Sequence, residues 1–578
     1  MEQYYTDERN VQILIALLKE HHVKRVVASP GSTNVTFVGS IQQDPYFEIY
    51  SCVDERSAAY MACGMAAETC EPVALSCTGA TASRNYFSAL TEAFYRKLPI
   101  LAITSTQEEA KIGHLVPQVI DRNVQPNDTV KMSVHLQTVK DEEDEWDVTI
   151  KANKALLELN HHGMGPVHVN LTTRYSRNFT VKELPPVRKI GRYCLHDEFP
   201  EMPKGKVAIY VGSHLRWSQK LTETVDRFCA IHDAVVFCDP TANYKGKYRV
   251  DSELVCCQGK YPKINSMNLL IHIGDMSDMF GMLRPEHVWR VSEDGKLADP
   301  YRALDKVFEM PEELFFEHYN SGNEIVNDYL DFCNKSYVEI RKDIPELPFS
   351  HIWVASQLFN KLPENSTMHL GILSPLRSWS YFKIPSSIEL YCNQGGFGID
   401  GNMSSMIGAS IVNPTKIFFA AVGDLSFFYD MNILGNRHVG PNVRILLVNN
   451  ALGAEFHLFK QKNSTYVNDI EKYLSAGGHF GQKSPDLVCH YATDLGFEYL
   501  SASSKEEFEK VYERFVTPEI TEKPIVFELF TQVEDENQAL YDIWHIREDK
   551  SLNTLIKKEI KHVLGEQTIM SIKSKFLK

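Results

Sequence analysis

No run of 18 consecutive apolar residues occurs in this 578-residue chain, so nothing in it reads as a membrane-spanning helix. Its opening, Met1-Glu2-Gln3, starts no apolar secretory leader. CxxC and other paired metal spacings are missing among the 12 cysteines, which removes the usual sequence basis for a zinc or redox framework. Cys52, Cys63, Cys77 and Cys238 stand in apolar runs and read as reduced core thiols of a cytoplasmic protein. The adjacent pair Cys256-Cys257 reads as packing. An excess of basic charge is lacking as well: the formal net charge of −15 argues against a general nucleic-acid binder.

What remains is ordinary globular material, 43% apolar and 23% charged, in a chain too long for one core. It reads as three α/β blocks and a tail. Residues 1–185 alternate patterns of helix (10–19, 58–67) and strand (25–28, 73–76, 100–104, 167–171), which implies a parallel sheet covered on both faces. The stretch LPPVRKIGR at 184–192 looks like a linker. A middle block, 190–340, has strands at 207–211, 234–237 and 269–273, and its Gly274-Asp275 reads as a strand-end turn. A polar helical stretch near 311–345 leads to a second linker at Pro345 and Pro348. The third block spans 346–540, and residues 541–578 read as a lysine-rich helical extension that docks on the protein.

The third block carries the densest chemistry. Asp424, in Gly423-Asp424-Leu425-Ser426, ends one apolar run (KIFFAAV, 416–422), and Asn449-Asn450 ends the next (RILLV, 444–448). Strands joined by one crossover helix are neighbours and parallel, so Asp424 and Asn450 should meet at the carboxyl edge of one sheet, where such sheets bind ligands. A carboxylate and an amide oxygen 26 residues apart suit a Mg²⁺ that keeps its other positions for phosphate and water. Gly423 allows close approach, and Ser426 could cap a helix whose N-terminus faces an anion. The plain alternative is a strand-turn-helix in which the aspartate only caps and the asparagines only turn.

A wider pattern bears on that choice. The metal motif, with SPGSTNVTF at 29–37, VDERSAAYMACGMA at 53–66, NQGGFGIDG at 393–401 and GDLSFFYD at 423–430, resembles the thiamine-diphosphate (ThDP) enzymes. The closer resemblance is to MenD, the SEPHCHC synthase family of menaquinone synthesis. It implies three parallel-sheet domains: a pyrimidine-binding domain (1–185), a central domain (190–340) and a diphosphate-binding domain (346–540). It also implies ThDP and Mg²⁺ as cofactors, with Asp424, Asn450 and the backbone carbonyl of Leu452 as metal ligands. Glu55 matches the glutamate that bonds the cofactor's pyrimidine and drives its activation, and Ile399 matches the residue that props the cofactor. Ser32, Thr78, Gly79, Asn85 and Gln118 match the rest of the pyrimidine-side pocket, Gln118 with a catalytic part. Ser374, Gln394, Gly395, Gly423, Leu425, Ser426 and Gly453 match the diphosphate side. The family further implies a homodimer, or a dimer of dimers, with each active site at a subunit interface.

Departures from the MenD pattern concern substrate. That family holds dicarboxylates with arginines, the natural partners of planar carboxylates. This chain has Thr33, Gln107 and Gln394 at matching positions, and only Arg377 could stand for a retained arginine. One lost charge-assisted clamp costs about 1.5–3 kcal/mol. The expectation is therefore a MenD-like carboligase, distinct from SEPHCHC synthase, that decarboxylates a pyruvate-like 2-oxo acid and passes the acyl group to an acceptor carbonyl or enone. A second reading is a decarboxylase that releases an aldehyde, with Glu455 as acid and His457 or His114 as proton relay. A third, a silent subunit, should have lost Glu55, Asp424 or Asn450, and all are present. Small molecules, with no nucleic acid and no membrane, complete the expected partners.

Overall fold

Strands Ile100–Thr106, Val167–Thr172 and Val443–Asn449 are buried along their whole length. A strand with no wet face needs cover on both sides, and the helices between successive strands supply it. The computed structural model describes residues 4–251, 253–258, 264–277, 280–460 and 469–547. The expected C-terminal extension lies, past 547, outside the described residues. Within them no helix is long and apolar enough to cross a membrane.

The chain gathers into two compact units, Met1–Pro200 with Ser292–Met310, and Glu201–Val291 with Pro311–Lys578. In the first, six parallel strands lie in the order Glu48–Ser51, Arg25–Ala28, Val73–Thr78, Ile100–Thr106, Val167–Thr172, Met132–Leu136. From Arg25–Ala28 the chain adds its next strand on one side and the following one on the other. The topological switch therefore falls between the ends of Arg25–Ala28 and Val73–Thr78. Helix Arg9–Glu20 buries every residue from Asn10 to Leu18. Helix Glu55–Thr69 packs through small residues, Ala58, Ala59, Ala62, Cys63 and Ala66.

The presumed linker at 184–192 is shorter than its sequence suggested. Gly191–Cys194 is a strand paired in parallel with Leu304–Glu309, because its partner arrives from more than 100 residues away and supplies the hydrogen bonds a linker would lack. Nearby, Glu309 accepts from His161 and His162 at 2.7 Å each, and Arg192 donates to Glu158 at 2.8 Å. Those are direct hydrogen-bond lengths, so the trio is a hydrogen-bonded cluster that, with the Arg192–Glu158 pair, ties this strand pair to the end of helix Glu142–Glu158.

The second unit holds two parallel sheets. One runs Arg249–Val250, Val235–Cys238, Val207–Val211, Ser266–Ile273, Arg284–Val291. The other runs Glu389–Cys392, Thr367–Leu370, Phe418–Gly423, Val443–Asn449, Ile525–Phe530, Glu498–Ala502, with its switch between Thr367–Leu370 and Phe418–Gly423. Asn243 joins them, donating to Leu390 O and accepting from Leu390 N, both at 3.2 Å. Gly274-Asp275 follows Ser266–Ile273 as a turn, with Gly274 at φ 73°.

One glycine at the first switch point leaves no room for change. A Cβ on Gly79 would lie 2.8 Å from the Ser105 carbonyl oxygen and 2.9 Å from the Arg122 guanidinium. Gly79→Ala should therefore cost about 1–3 kcal/mol by overpacking, read as a lower urea midpoint; an unchanged midpoint would show that Arg122 moves aside freely.

Candidate functional site

Two clusters of polar residues form, one at the switch point of each unit's parallel sheet. In the first, the loop Ser29-Pro30-Gly31-Ser32 leaves strand Arg25–Ala28 and packs on Thr78; a Cβ on Gly31 would lie 2.0 Å from the Thr78 methyl. Asn34 holds the loop by donating to Ser29 O at 2.9 Å. Ser32 is exposed at its tip. Glu55 is the first residue of its helix, after Asp54, which caps by accepting from Ser57 N at 2.8 Å. Asn85 donates to the Glu55 carboxylate at 3.0 Å, so two residues singled out by sequence meet. Gln118 stands exposed on the 107–130 loop at φ 65°.

Two of the polar replacements are accounted for by other contacts. Thr33 is 1% exposed and its carbonyl accepts from the Thr173 hydroxyl at 3.2 Å, so it faces the interior. Gln107 accepts from Lys111 at 2.6 Å. Sequence reasoning missed Arg122, a buried guanidinium that donates to Thr104 Oγ1 at 2.7 Å and to Asn170. Burial pulls it down to about 10.

The second cluster lies at the carboxyl edge of the Phe418–Gly423 sheet. Strands Phe418–Gly423 and Val443–Asn449 are neighbours and parallel, with Gly423 opposite Val448, so Asp424 and Asn450 leave adjacent strand ends. Asp424 is 4% exposed and accepts from Leu425 N at 2.7 Å and Asn450 N at 3.2 Å. Burial pushes its carboxyl up to about 6, against the pull of those backbone amides and that of Ala451. The two asparagines divide their work. Asn449 donates to Glu528 at 2.7 Å and accepts from Ala451 N at 3.0 Å, which fixes the turn in which Ala451 takes φ 67°. Asn450 instead leaves its side-chain oxygen buried without a hydrogen-bond partner.

A costly carboxylate beside an orphaned amide oxygen is a fitting donor pair for a hard cation. A Cβ on Gly423 would meet nothing within 4 Å, so the glycine leaves open space at the strand end. Gly395 is open in the same sense. Leu452 is 8% exposed, and Gly453 N donates to Ser475 O at 2.7 Å, which anchors the turn after the asparagines.

Ser426 does not cap its helix. The helix starts at Asp424 with Gly423 as N-cap, which places Ser426 inside the first turn, where it donates to Ile399 O at 2.6 Å and accepts from Asn402 at 3.2 Å. It thus holds the Ile399 loop to the helix that starts at Asp424. Gln394 is engaged within the protein: it is 1% exposed and donates to Asp239 and Thr241, both at 3.1 Å.

Glu455 and His457 separate. Both lie on the single 3-10 turn Ala454–His457, whose two-residue spacing directs them to different sides. Glu455 forks onto Arg377, with Nη2 to Oε1 at 2.8 Å and Nη1 to Oε2 at 3.1 Å, and also accepts from Ser374 at 3.3 Å. His457 pairs with Ser475 Oγ at 3.3 Å. Close to this group, burial and the Arg377 guanidinium pull the Lys460 ammonium down to about 8, and its Nζ sits 2.9 Å from the Trp544 ring centroid. His351, 5% exposed, was also missed by sequence reasoning; its backbone N–H donates to Glu536 at 3.0 Å.

Comparison with known proteins bears on what these clusters hold. The family model for the thiamine pyrophosphate enzyme N-terminal TPP binding domain matches residues 9–125. A protein of Phocaeicola vulgatus named 2-succinyl-5-enolpyruvyl-6-hydroxy-3-cyclohexene-1-carboxylate synthase is 32% identical, over 95% of this chain and 100% of its own length. A protein of the same name from Bacteroides thetaiotaomicron is 32% identical over 94% of the chain and 99% of its own length. One from Bacteroides fragilis is 31% identical over the same shares.

Asp424 gives this site a definite pH behaviour. Its carboxyl is raised from 3.8 to about 6, so its contribution to stability is full below the ordinary carboxylate range and is lost as pH rises through 6. A cation relieves that buried charge above pH 6 and competes with a proton below it. Calorimetric affinity for ThDP with magnesium should thus weaken about tenfold between pH 7 and pH 5. Asp424→Ala should lose about 100-fold or more at pH 7; an unchanged affinity would remove Asp424 from the site.

Proposed function

The chain belongs to the thiamine-diphosphate enzyme family of the 2-succinyl-5-enolpyruvyl-6-hydroxy-3-cyclohexene-1-carboxylate synthases, and on that premise we propose that it decarboxylates a 2-oxo acid and joins the acyl fragment to a second, unsaturated or carbonyl-bearing molecule. The observation that carries this reading is the pairing of buried Asp424 with the partnerless Asn450 oxygen at a parallel-sheet edge. Bound there with a divalent metal, taken as Mg²⁺, thiamine diphosphate supplies the electron sink for loss of carbon dioxide from a 2-oxo acid. Asp424, Asn450 and the Leu452 carbonyl are the ligands we assign to the cation. Ile399, held by Ser426, would prop the cofactor, and Glu55, oriented by Asn85, would bond its pyrimidine ring.

The surface around Glu55 supports a homodimer with active sites completed at the subunit interface. Val53, two residues before Glu55, and Tyr60, on the same helix, are 78% and 46% exposed, apolar surface that a partner subunit would cover.

The relatives' shared name describes a product bearing a succinyl group, which speaks for a donor with a distal carboxylate. It weighs against the expectation that this chain has left that reaction. The structure also weakens two grounds for that expectation, since Thr33 is buried and Gln394 is engaged by Asp239 and Thr241. The aldehyde-releasing alternative depends on Glu455 as an acid, and Glu455 is forked onto Arg377.

Carbon dioxide release from a panel of 2-oxo acids, with and without candidate acceptors, tests the reading. Release should rise on adding the correct acceptor, with a coupled product by mass spectrometry; free aldehyde at full rate without acceptor would favour the alternative. Glu55→Gln should slow turnover by about 100-fold or more while thiamine diphosphate still binds; unchanged turnover would sink the Glu55 assignment.

A further inference from the structure

The chain carries a formal net charge of −15, yet one cavity of about 400 Å³ in the second unit is lined by cations and by no acid. It opens between residues 240–249, which follow strand Val235–Cys238, and residues 383–390, which lead into strand Glu389–Cys392. Lys245, Lys247, Arg249 and Lys383 line it, with Ile384 and Pro385 as an apolar wall. Its size is that of a small-molecule site.

The carboxylates nearby are already engaged. Asp251 takes Arg249, Nη2 to Oδ1 at 2.9 Å. Glu389 lies between Arg216 at 2.8 Å and Lys416 at 2.7 Å. Asp226, on helix Gln219–His232, accepts from the Tyr244 hydroxyl and from Lys247 N at 3.2 Å, which fixes the loop. Among the described residues none of Lys245, Lys247 and Lys383 forms an ion pair, so three lysines share one cavity without a counter-charge.

Like charges repel, and a rigid frame keeps these together. Gly246 separates two of the lysines at a point where a Cβ would overlap the Asp226 carboxylate and the Tyr244 hydroxyl. Asn243, at φ 53°, ties the same loop to both backbone groups of Leu390. Burial pulls the Lys245 ammonium below the usual lysine range, and Lys416, Arg216 and Arg249 pull the same way against Glu389. An anion in the cavity relieves that strain.

We propose that this cavity binds a small organic phosphate carrying two or more negative charges. Ammonium groups are compact point charges that suit phosphate oxygens, whereas a carboxylate is best matched by the arginine fork, and the guanidinium lining this cavity is held by Asp251. The wall of Ile384 and Pro385 takes the organic part. Residues 383–388 precede strand Glu389–Cys392, on the amino side of the parallel sheet whose carboxyl edge carries Asp424. A ligand here binds alongside thiamine diphosphate, not in its place.

The test uses the full-length protein loaded with thiamine diphosphate and magnesium, as wild type, Lys383→Gln, and the double variant Lys245→Gln with Lys247→Gln. All three side chains are exposed, and affinity for thiamine diphosphate should be unchanged in each variant. ADP is titrated by calorimetry, with adenosine, glutarate and inorganic pyrophosphate as comparisons, and bound thiamine diphosphate is measured before and after. ADP should bind once per chain with the cofactor retained, and each variant should weaken it about tenfold or more. Adenosine and glutarate should bind at least about tenfold more weakly than ADP, and pyrophosphate more weakly as well. No saturable ADP binding up to about 1 mM, variants that bind it as wild type does, or release of thiamine diphosphate by ADP would overturn the proposal. Adenosine or glutarate binding as tightly as ADP would overturn the preference for phosphate, and equally tight pyrophosphate would overturn the organic part.

Discussion

In a parallel sheet every strand runs the same way, so every carboxyl end opens onto one edge, and that constraint organises this molecule. At such an edge the backbone leaves the sheet through short turns whose amides and side chains no longer pair with a neighbouring strand. Where the strand order reverses, two of these turns diverge and leave a crevice. The Pro30-Gly31 loop and Thr78-Gly79 flank one such crevice in the first unit. The Leu373 and Asp424 turns flank another in the second. Glu55 and Asp424 are both first residues of helices that begin beside these switch points.

The second edge is held in a state that favours a charged ligand. Two backbone amides hold Asp424, yet burial still outweighs them and keeps the carboxyl's proton affinity high. Asn449 and Glu528 form a buried scaffold, with Tyr499 donating to the other Glu528 oxygen at 2.7 Å, so the turn cannot relax to bring Asn450 a partner. Ser426 adds rigidity from the opposite side by fastening the Ile399 loop. A carboxylate that burial disfavours, beside an amide oxygen that no donor reaches, is a rigid pair suited to a divalent cation.

How much of this was legible in sequence depended on the range of the interaction. Asp424 and Asn450 could be read because each ends an apolar run, and a single crossover makes the runs neighbours. Glu55 was read by resemblance, and its partner Asn85 came with it. Ser426 was misread because a serine two residues past an aspartate looks like a cap until the helix start is known. Thr33 and Gln394 were read as ligand-facing because exposure is tertiary information: the partners of Gln394 lie 153 and 155 residues away. The 184–192 stretch looked like a linker for the same reason, its strand partner lying far along the chain. Arg122 left no signal, since a lone arginine in a loop gives no hint that it is buried.

The Arg377–Glu455 pair shows what such long-range pairings contribute. Taking two charges largely out of water is expensive, and their attraction repays it only with good geometry; two apolar side chains of similar size would fill the same space with equal or greater stability. Stability alone is therefore a weak account of an ion pair here. What the pair fixes is geometry: it holds the turn that follows Asn450 to the helix that follows strand Thr367–Leu370.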